Sequence, residues 1–276
     1  MPVLTPPRFV TQESLSSGHV SVLAVTWQHP FTRKISAIGI LSLDTDGCYR
    51  FEYVKNVLTI EDFQPLIGFP DLFENYQSDH LFPLFAQRVM DPRRPDYVRY
   101  VNALGISESS TPWEQLSHSG GRRTGDTLQL LPVPVPADDQ PGIWEVKFLV
   151  HGMRYIAERK RYLNASEVSV THEEFEQALQ ALKPGSHLQL IPEPTNPVND
   201  LAYVVTNSNG LPLGYLPDVF TEDVDQLGVE NVSCTAEIVN SLKAPWHMRL
   251  VAKLRCKAPE GFHFFSSEAW QPTSSS

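Results

Sequence analysis

Apolar residues in this sequence come in short runs, and turn residues cut nearly every run before it reaches the length of a long helix. "VLAVTW", "ISAIGILSL" and "CYRFEYV" open the series, and "HLQLI", "AYVV", "LPLGYL", "SCTAEIV" and "MRLVAKLRC" close it, with 23 Pro and 15 Gly in the chain. Runs of this length, rich in β-branched and aromatic residues and bounded by Gly, Pro, Asn and Asp, read as strands of antiparallel sheets. The expected class is α+β, with an N-terminal small antiparallel sheet packed with helices. A C-terminal small barrel or curled sheet with one or two helices completes it.

The 276 residues, 41% of them hydrophobic, suffice for two modest domains. The first is expected over 20–106. "DTDG" supplies the tight turn between its second and third strands. "SDHLFPLFAQRVM" then gathers Leu81, Leu84, Phe85 and Val89 on one face. "DYVRYVNALGI" repeats the pattern with Tyr97, Val98, Val101 and Leu104 and stops at Gly105, so two packed helices are expected under the meander.

Residues 107–142, with "SESS", "SHSGGRRTGD" and "LPVPVPADDQPG", read as a Pro/Gly/Ser-rich linker in which only "TLQLL" has strand composition. The second domain is expected over 143–256, starting at the strand "EVKFLV". Its "THEEFEQALQAL" carries the capping-box signature Thr171–Glu174 and a buried stripe of Phe175, Leu179 and Leu182. "DVFTEDVDQL" reads as a short helix. Residues 203–215 read as a hairpin closed by "NSNG", with Asn209-Gly210 at the positive backbone angles of a tight turn. Residues 257–276 read as a flexible tail.

Charge and cysteine usage narrow the function classes. A net charge of −10 repels polyanions, so any nucleic-acid contact must come from a local basic patch. Cys48, Cys234 and Cys256 are isolated and read as packing residues, with no zinc or disulfide spacing. The stretch up to Val20 lacks a basic start followed by an apolar run, and no later stretch is long enough to cross a bilayer. A cytoplasmic protein without a membrane partner is expected. The nine histidines are dispersed, His151 reads as a hydrogen-bonded imidazole at a strand end, and "HExxH", "GxSxG" and P-loop spacings are absent. Acid pairs such as Glu173-Glu174 and Glu222-Asp223 stand at helix starts, where the macrodipole accounts for them. No enzyme activity, metal or cofactor is expected.

Three motifs in order carry a resemblance over 144–256: "FLVHGMRY" on the first strand, "LIPEPTNPVNDLA" on the next, and "LGYLP" leading into a helix. This segment resembles the HIRAN domain. The resemblance implies a small β-barrel with one or two helices and, as in helicase-like chromatin remodellers, binding of single-stranded DNA including its free 3′ end. The first half, with "GILSLDTDGCYRFEYV", "LIGFPDLFENYQSDHLFPLFAQRVM" and "LGI", resembles the N-terminal subdomain of HipA-type toxin kinases. The kinase body has no counterpart in the chain, so no kinase activity is carried over.

A nucleic-acid pocket needs donors for phosphate, a flat face for a base and an acceptor for a terminal hydroxyl. Arg154 and Tyr155 match the family's basic and aromatic positions, and Arg159, Lys160 and Arg161 follow in a basic turn. The plainer alternative makes the basic residues solvated turn residues and packs Tyr155 into the barrel. Where the family commonly has Asn-Pro-Tyr-Asp, this chain has Asn196-Pro197-Val198-Asn199, which removes a stacking ring and a carboxylate. Asp200 replaces that carboxylate only if the turn shifts by a residue. Asn196, Asn199 and Tyr215 complete the candidate set, although Glu193, Pro194, Asn196 and Pro197 also suit a plain turn and Gly214 with Tyr215 a close backbone approach.

Arg88, Arg93, Arg94 and Arg99 form a second basic cluster, interleaved with Asp91 and Asp96, that reads as an Arg-Asp network at an interhelical turn. Two functions follow. One is non-catalytic binding of single-stranded or damaged DNA, against which stands the balance of ten Lys and Arg to fourteen Asp and Glu over 143–256. The other is a stress- or defence-related adaptor that has lost the DNA-end site and docks a protein through the aromatic residues around "FPDLFENYQ".

Overall fold

The computed structural model describes residues 21–123 and 125–274. The stretch up to Val20, expected to lack a leader segment, lies outside the described residues. The chain forms two compact units of the α+β class. The first unit holds the described residues up to Tyr97, Ser109–Trp144 and the C-terminal segment from Ala258; the second holds Val98–Glu108 and Glu145–Lys257.

In the first unit β1 (Val22–Gln28), β2 (Ile35–Leu43) and β3 (Tyr49–Tyr53) form the expected meander, and β4 (Tyr76–Ser78) adds an edge. A fifth strand, β5 (Leu128–Pro132), pairs antiparallel with β1 to give the order β4-β3-β2-β1-β5. Leu23, Val25, Phe51, Leu128 and Leu130 share one core with Phe69, Phe85, Trp113 and Leu116. The helix expected around Leu84 shrinks to α1 (Pro83–Ala86), where Pro83 occupies the first helical position.

The stretch expected as a linker is part of this core. α3 (Pro112–Ser119), which follows α2 (Tyr97–Leu104) in the chain, is held by a capping box. The Thr111 side chain accepts from the Glu114 backbone N–H, and the Glu114 carboxylate accepts from the Thr111 backbone N–H. The segment expected as a flexible tail is packed as well. Phe262, Phe264, Phe265 and Trp270 are buried, the last two with rings stacked at 4.0 Å, and the Thr273 backbone N–H donates to the Tyr53 carbonyl at 2.9 Å. Four aromatic rings in a short segment supply the driving force for this packing, since each buries about 150–250 Å² of surface.

α2 is expected beneath the first sheet, but from Val98 onward it belongs to the second unit. Leu104 packs there with Leu149, Met248 and Val251. The sheet of that unit runs β12 (Pro212–Tyr215), β11 (Tyr203–Asn207), β10 (His187–Pro192), β13 (Val232–Val239), β14 (Leu250–Lys257) and β7 (Ile143–Leu149). The start of β7 pairs with the short β6 (Val135–Pro136). β8 (Arg161–Leu163) and β9 (Ser166–Val168) form a separate ribbon. α4 (His172–Ala181) has the expected capping box, and α5 (Thr221–Leu227) continues a 3-10 turn at Asp218–Phe220.

The six-stranded arrangement curls. His151, two residues beyond β7, exchanges both backbone hydrogen bonds with Tyr215 of β12, at 3.0 and 2.9 Å, and so joins the strands at opposite ends of the order. Gly214 permits that approach, since a Cβ there would lie 2.5 Å from the His151 carbonyl oxygen. At the β11–β12 turn only Gly210 takes a positive φ, of 79°, and Asn209 does not. The Asn207 side chain instead accepts from the backbone of Asn209 and Leu211, fixing the turn from its first residue. Cys234 and Cys256 are buried in β13 and β14, and burial pushes both thiols up to about 12. Among the described residues no helix is long and apolar enough to cross a membrane.

Candidate nucleic-acid interface

The chain leaves β7 through Gly152 into a 3-10 turn, Met153–Glu158, that buries Met153 and Ile156. With those two side chains turned inward, Arg154 and Tyr155 face solvent. The Tyr155 ring is 50% exposed and the Arg154 guanidinium carbon lies 5.9 Å from its centroid, within cation–π range. Arg159 is also exposed. Lys160 is exposed but bonds the Glu167 carboxylate across the ribbon at 2.8 Å.

Arg161 departs from both sequence readings, since it is neither solvated nor turned toward a ligand. In β8 side chains alternate, so Arg161 and Leu163 point inward and Tyr162 outward. The Arg161 side chain is buried. Its guanidinium donates to the carbonyls of Ile156, Arg159 and Tyr155 at 2.6, 2.7 and 2.9 Å and to the Tyr215 hydroxyl at 2.9 Å. It thereby fixes from beneath the turn that presents Arg154 and Tyr155.

The hydrogen-bond chain continues through Tyr215. Its hydroxyl donates to the Glu193 carboxylate at 3.0 Å, and the same carboxylate oxygen accepts from the Asn196 side chain at 2.5 Å. The Tyr215 ring packs on the cluster of Leu163, Ile191 and Val204, so it offers no open stacking face. Burial pushes its phenol above the usual tyrosine range, while Arg161 pulls it down. Sequence reading gave Glu193 a turn role only. A carboxylate at the end of an apolar strand, at 3% exposure, is the signal that it collects buried donors.

Asn196 and Asn199 are likewise used internally. The Asn196 side-chain oxygen accepts from the backbone of Val198 and Asn199 at 3.0 and 3.3 Å, which fixes the turn without a shift and leaves Asp200 exposed. The Asn199 amide donates to Asp218 at 3.0 Å and its oxygen accepts from the Leu201 backbone at 3.0 Å. Burial pushes the Asp218 carboxyl up, and the Asn199 hydrogen bond partly offsets this.

That contact gives the Asn199 departure a physical reason. In Asn199→Asp a second carboxylate would face Asp218 at hydrogen-bond distance, and the two would have to share a proton. The pair's folded-state pKa then lies above its unfolded value, so the folded state binds more protons. The variant is least stable above that raised pKa and recovers as pH falls through it. Its urea midpoint at pH 7 should correspond to a loss of about 2–4 kcal/mol against wild type, shrinking at pH 5. Equal midpoints at both pH values would show that Asn199 and Asp218 do not face one another in solution.

Three members of the second basic cluster, Arg88, Arg93 and Arg94, are paired in the first unit. Arg93 bonds Asp91 at 2.5 Å and Arg94 bonds Asp96 at 3.0 Å, while buried Arg88 bonds Asp126 and donates to the Gly121 carbonyl at 2.9 Å. Arg99 is exposed. Around "FPDLFENYQ", Phe69 is buried and Phe73 is 58% exposed. Among the described residues no group of three or more His, Cys, Asp or Glu is placed to hold a metal ion.

No protein-family model matches the chain. No curated protein matches it. Among solved structures it is similar to a protein from Lactobacillus plantarum, at 19% identity over 42% of this chain and 97% of that one, with a TM-score of 0.30. It is also similar to the HIRAN domain of human HLTF, at 15% identity over 44% of this chain and 85% of that one, with a TM-score of 0.27.

Proposed function

We propose that the second unit is a non-catalytic, HIRAN-like module of a cytoplasmic protein that binds single-stranded nucleic acid, including damaged DNA, without reading its 3′ end. The observation that carries this reading is the exposed pair Arg154 and Tyr155 on a turn pinned from below by Arg161. A half-exposed ring beside a guanidinium offers a base a stacking face and its phosphate a charge-assisted donor. Arg159 adds a second cation on the same turn. Because Asn199 spends its amide on Asp218 and its oxygen on the Leu201 backbone, the module has no ready acceptor there for a terminal hydroxyl. The acidic balance of the segment keeps affinity low, and each phosphate contact adds about 0.7 to the slope of log affinity against log salt.

The test is fluorescence anisotropy of a labelled single-stranded oligonucleotide, with free and blocked 3′ ends, at two salt concentrations. Salt-sensitive binding that is equal for the two ends, and weakened with a slope smaller by about 0.7 in Arg154→Ala, is the expected result. Absence of binding at low salt would remove the nucleic-acid reading. A protein-docking adaptor is then the better reading, and the exposed Ile67 and Phe73 of the first unit, at 88% and 58%, favour it. The HipA-type likeness of that unit rests on its sequence motifs and contributes no activity to either reading.

A further inference from the structure

The β1–β2 hairpin of the first unit ends in a tip, His29-Pro30-Phe31-Thr32-Arg33-Lys34, that none of the foregoing uses. Phe31 stands 88% exposed at its apex, where a core side chain has no reason to be. The tip is nonetheless fixed. His29 Nδ1 accepts the backbone N–H groups of Phe31 and Thr32 at 3.2 and 3.1 Å, and the Gln28 amide donates to the Arg33 carbonyl at 3.0 Å. The His29 ring lies 6.0 Å from Phe31 and 5.3 Å from Trp27, so Phe31 is the outermost member of a row of rings rooted in the sheet. Arg33 takes a positive φ of 64°, a position at which glycine would be unstrained, and Lys34 follows it.

We infer that this tip is a second contact for single-stranded nucleic acid, with Phe31 stacking one base and Arg33 and Lys34 contacting the adjoining phosphates. The inference rests on the nucleic-acid reading of the second unit and adds a site on the first. With its backbone held by His29, Phe31 has only its two side-chain torsions to lose when a base settles on it, and two exposed cations next to it match the charge of a phosphate backbone. Two cations in a protein of net charge −10 are a local exception, which is what binding a polyanion requires of such a chain. An anionic membrane is the weaker fit, since insertion calls for a broad apolar face and the tip offers a single ring.

The full chain is irradiated with an oligothymidylate and its photo-adducts are mapped, alongside anisotropy of wild type, Phe31→Ala and Arg33→Gln/Lys34→Gln. These residues are exposed, so the variants keep the core intact. Adducts on the peptide carrying residues 28–34, a loss of affinity of at least about fivefold in Phe31→Ala, and a salt slope smaller by about 1.4 in the double variant are expected. Adducts confined to the Tyr155 region, with Phe31→Ala binding as wild type, would overturn the inference and leave the second unit's site standing. A wild type that binds no oligonucleotide overturns both. Phe31-dependent binding to phosphatidylserine vesicles, without Phe31-dependent binding to DNA, overturns the inference in favour of a membrane contact.

Discussion

Phe265→Ala is expected to lower the urea midpoint of the first unit by about 1–3 M, corresponding to about 3–5 kcal/mol. The Phe265 side chain is fully buried, stacks on Trp270 at 4.0 Å and lies 6.3 Å from Phe264. Its backbone φ of 58° is unusual for a bulky residue and persists because the surrounding packing over-determines it. Alanine keeps the unfavourable backbone and discards the packing that holds it. Tryptophan emission gives a selective readout, since Trp27, Trp113, Trp144 and Trp270 belong to the first unit and only Trp246 to the second. An emission transition unmoved in the variant would mean that the C-terminal segment contributes nothing to that unit. A loss of the predicted size is a large fraction of what a domain possesses, so truncation before Phe262 should leave the first unit unfolded at ordinary temperature.

The packing of this segment and of residues 107–142, expected as a tail and a linker, escapes local composition for one reason. Serine, glycine and proline dominate the local composition, and composition describes neighbours in sequence rather than partners in space. β5 pairs with β1 across about a hundred residues, Thr26 standing opposite Gln129, and nothing local specifies that pairing. Other signals are local and legible. Thr111-Pro112-Trp113-Glu114 carries the same capping signature that located α4 at Thr171–Glu174, with proline at the favoured first position. Likewise Arg161 stands two residues from apolar Leu163, so strand alternation turns both inward. The candidate site was thus legible as residues and not as roles. Arg154 and Tyr155 face solvent, whereas Arg161, Asn196, Asn199 and Tyr215 spend their polar groups on one another, on Glu193, on Asp218 and on the backbone.

Arg161→Ala is the variant that separates frame from ligand. Removing the guanidinium leaves three backbone carbonyls without their donor and leaves the Glu193 carboxylate, at 3% exposure, with no cation in its hydrogen-bond chain. The expected loss is about 3–5 kcal/mol, the cost of breaking a buried charged network from one side. Arg161→Lys should rescue little, because an ammonium cannot reproduce a planar fork that serves three carbonyls and a phenol. Arg161→Ala/Glu193→Gln should lose less than the sum of the single variants, since the amide removes the stranded charge. A phosphate-contacting Arg161 predicts the opposite pattern: stability near wild type in Arg161→Ala, with affinity and salt slope reduced as in Arg154→Ala. Hydrogen exchange at the amides of Tyr155 and Ile156 reports the same distinction locally. Their protection should collapse when the side chain that fixes the turn is gone, and any loss of DNA binding in that variant should then follow from the release of Arg154 and Tyr155 rather than from a missing contact.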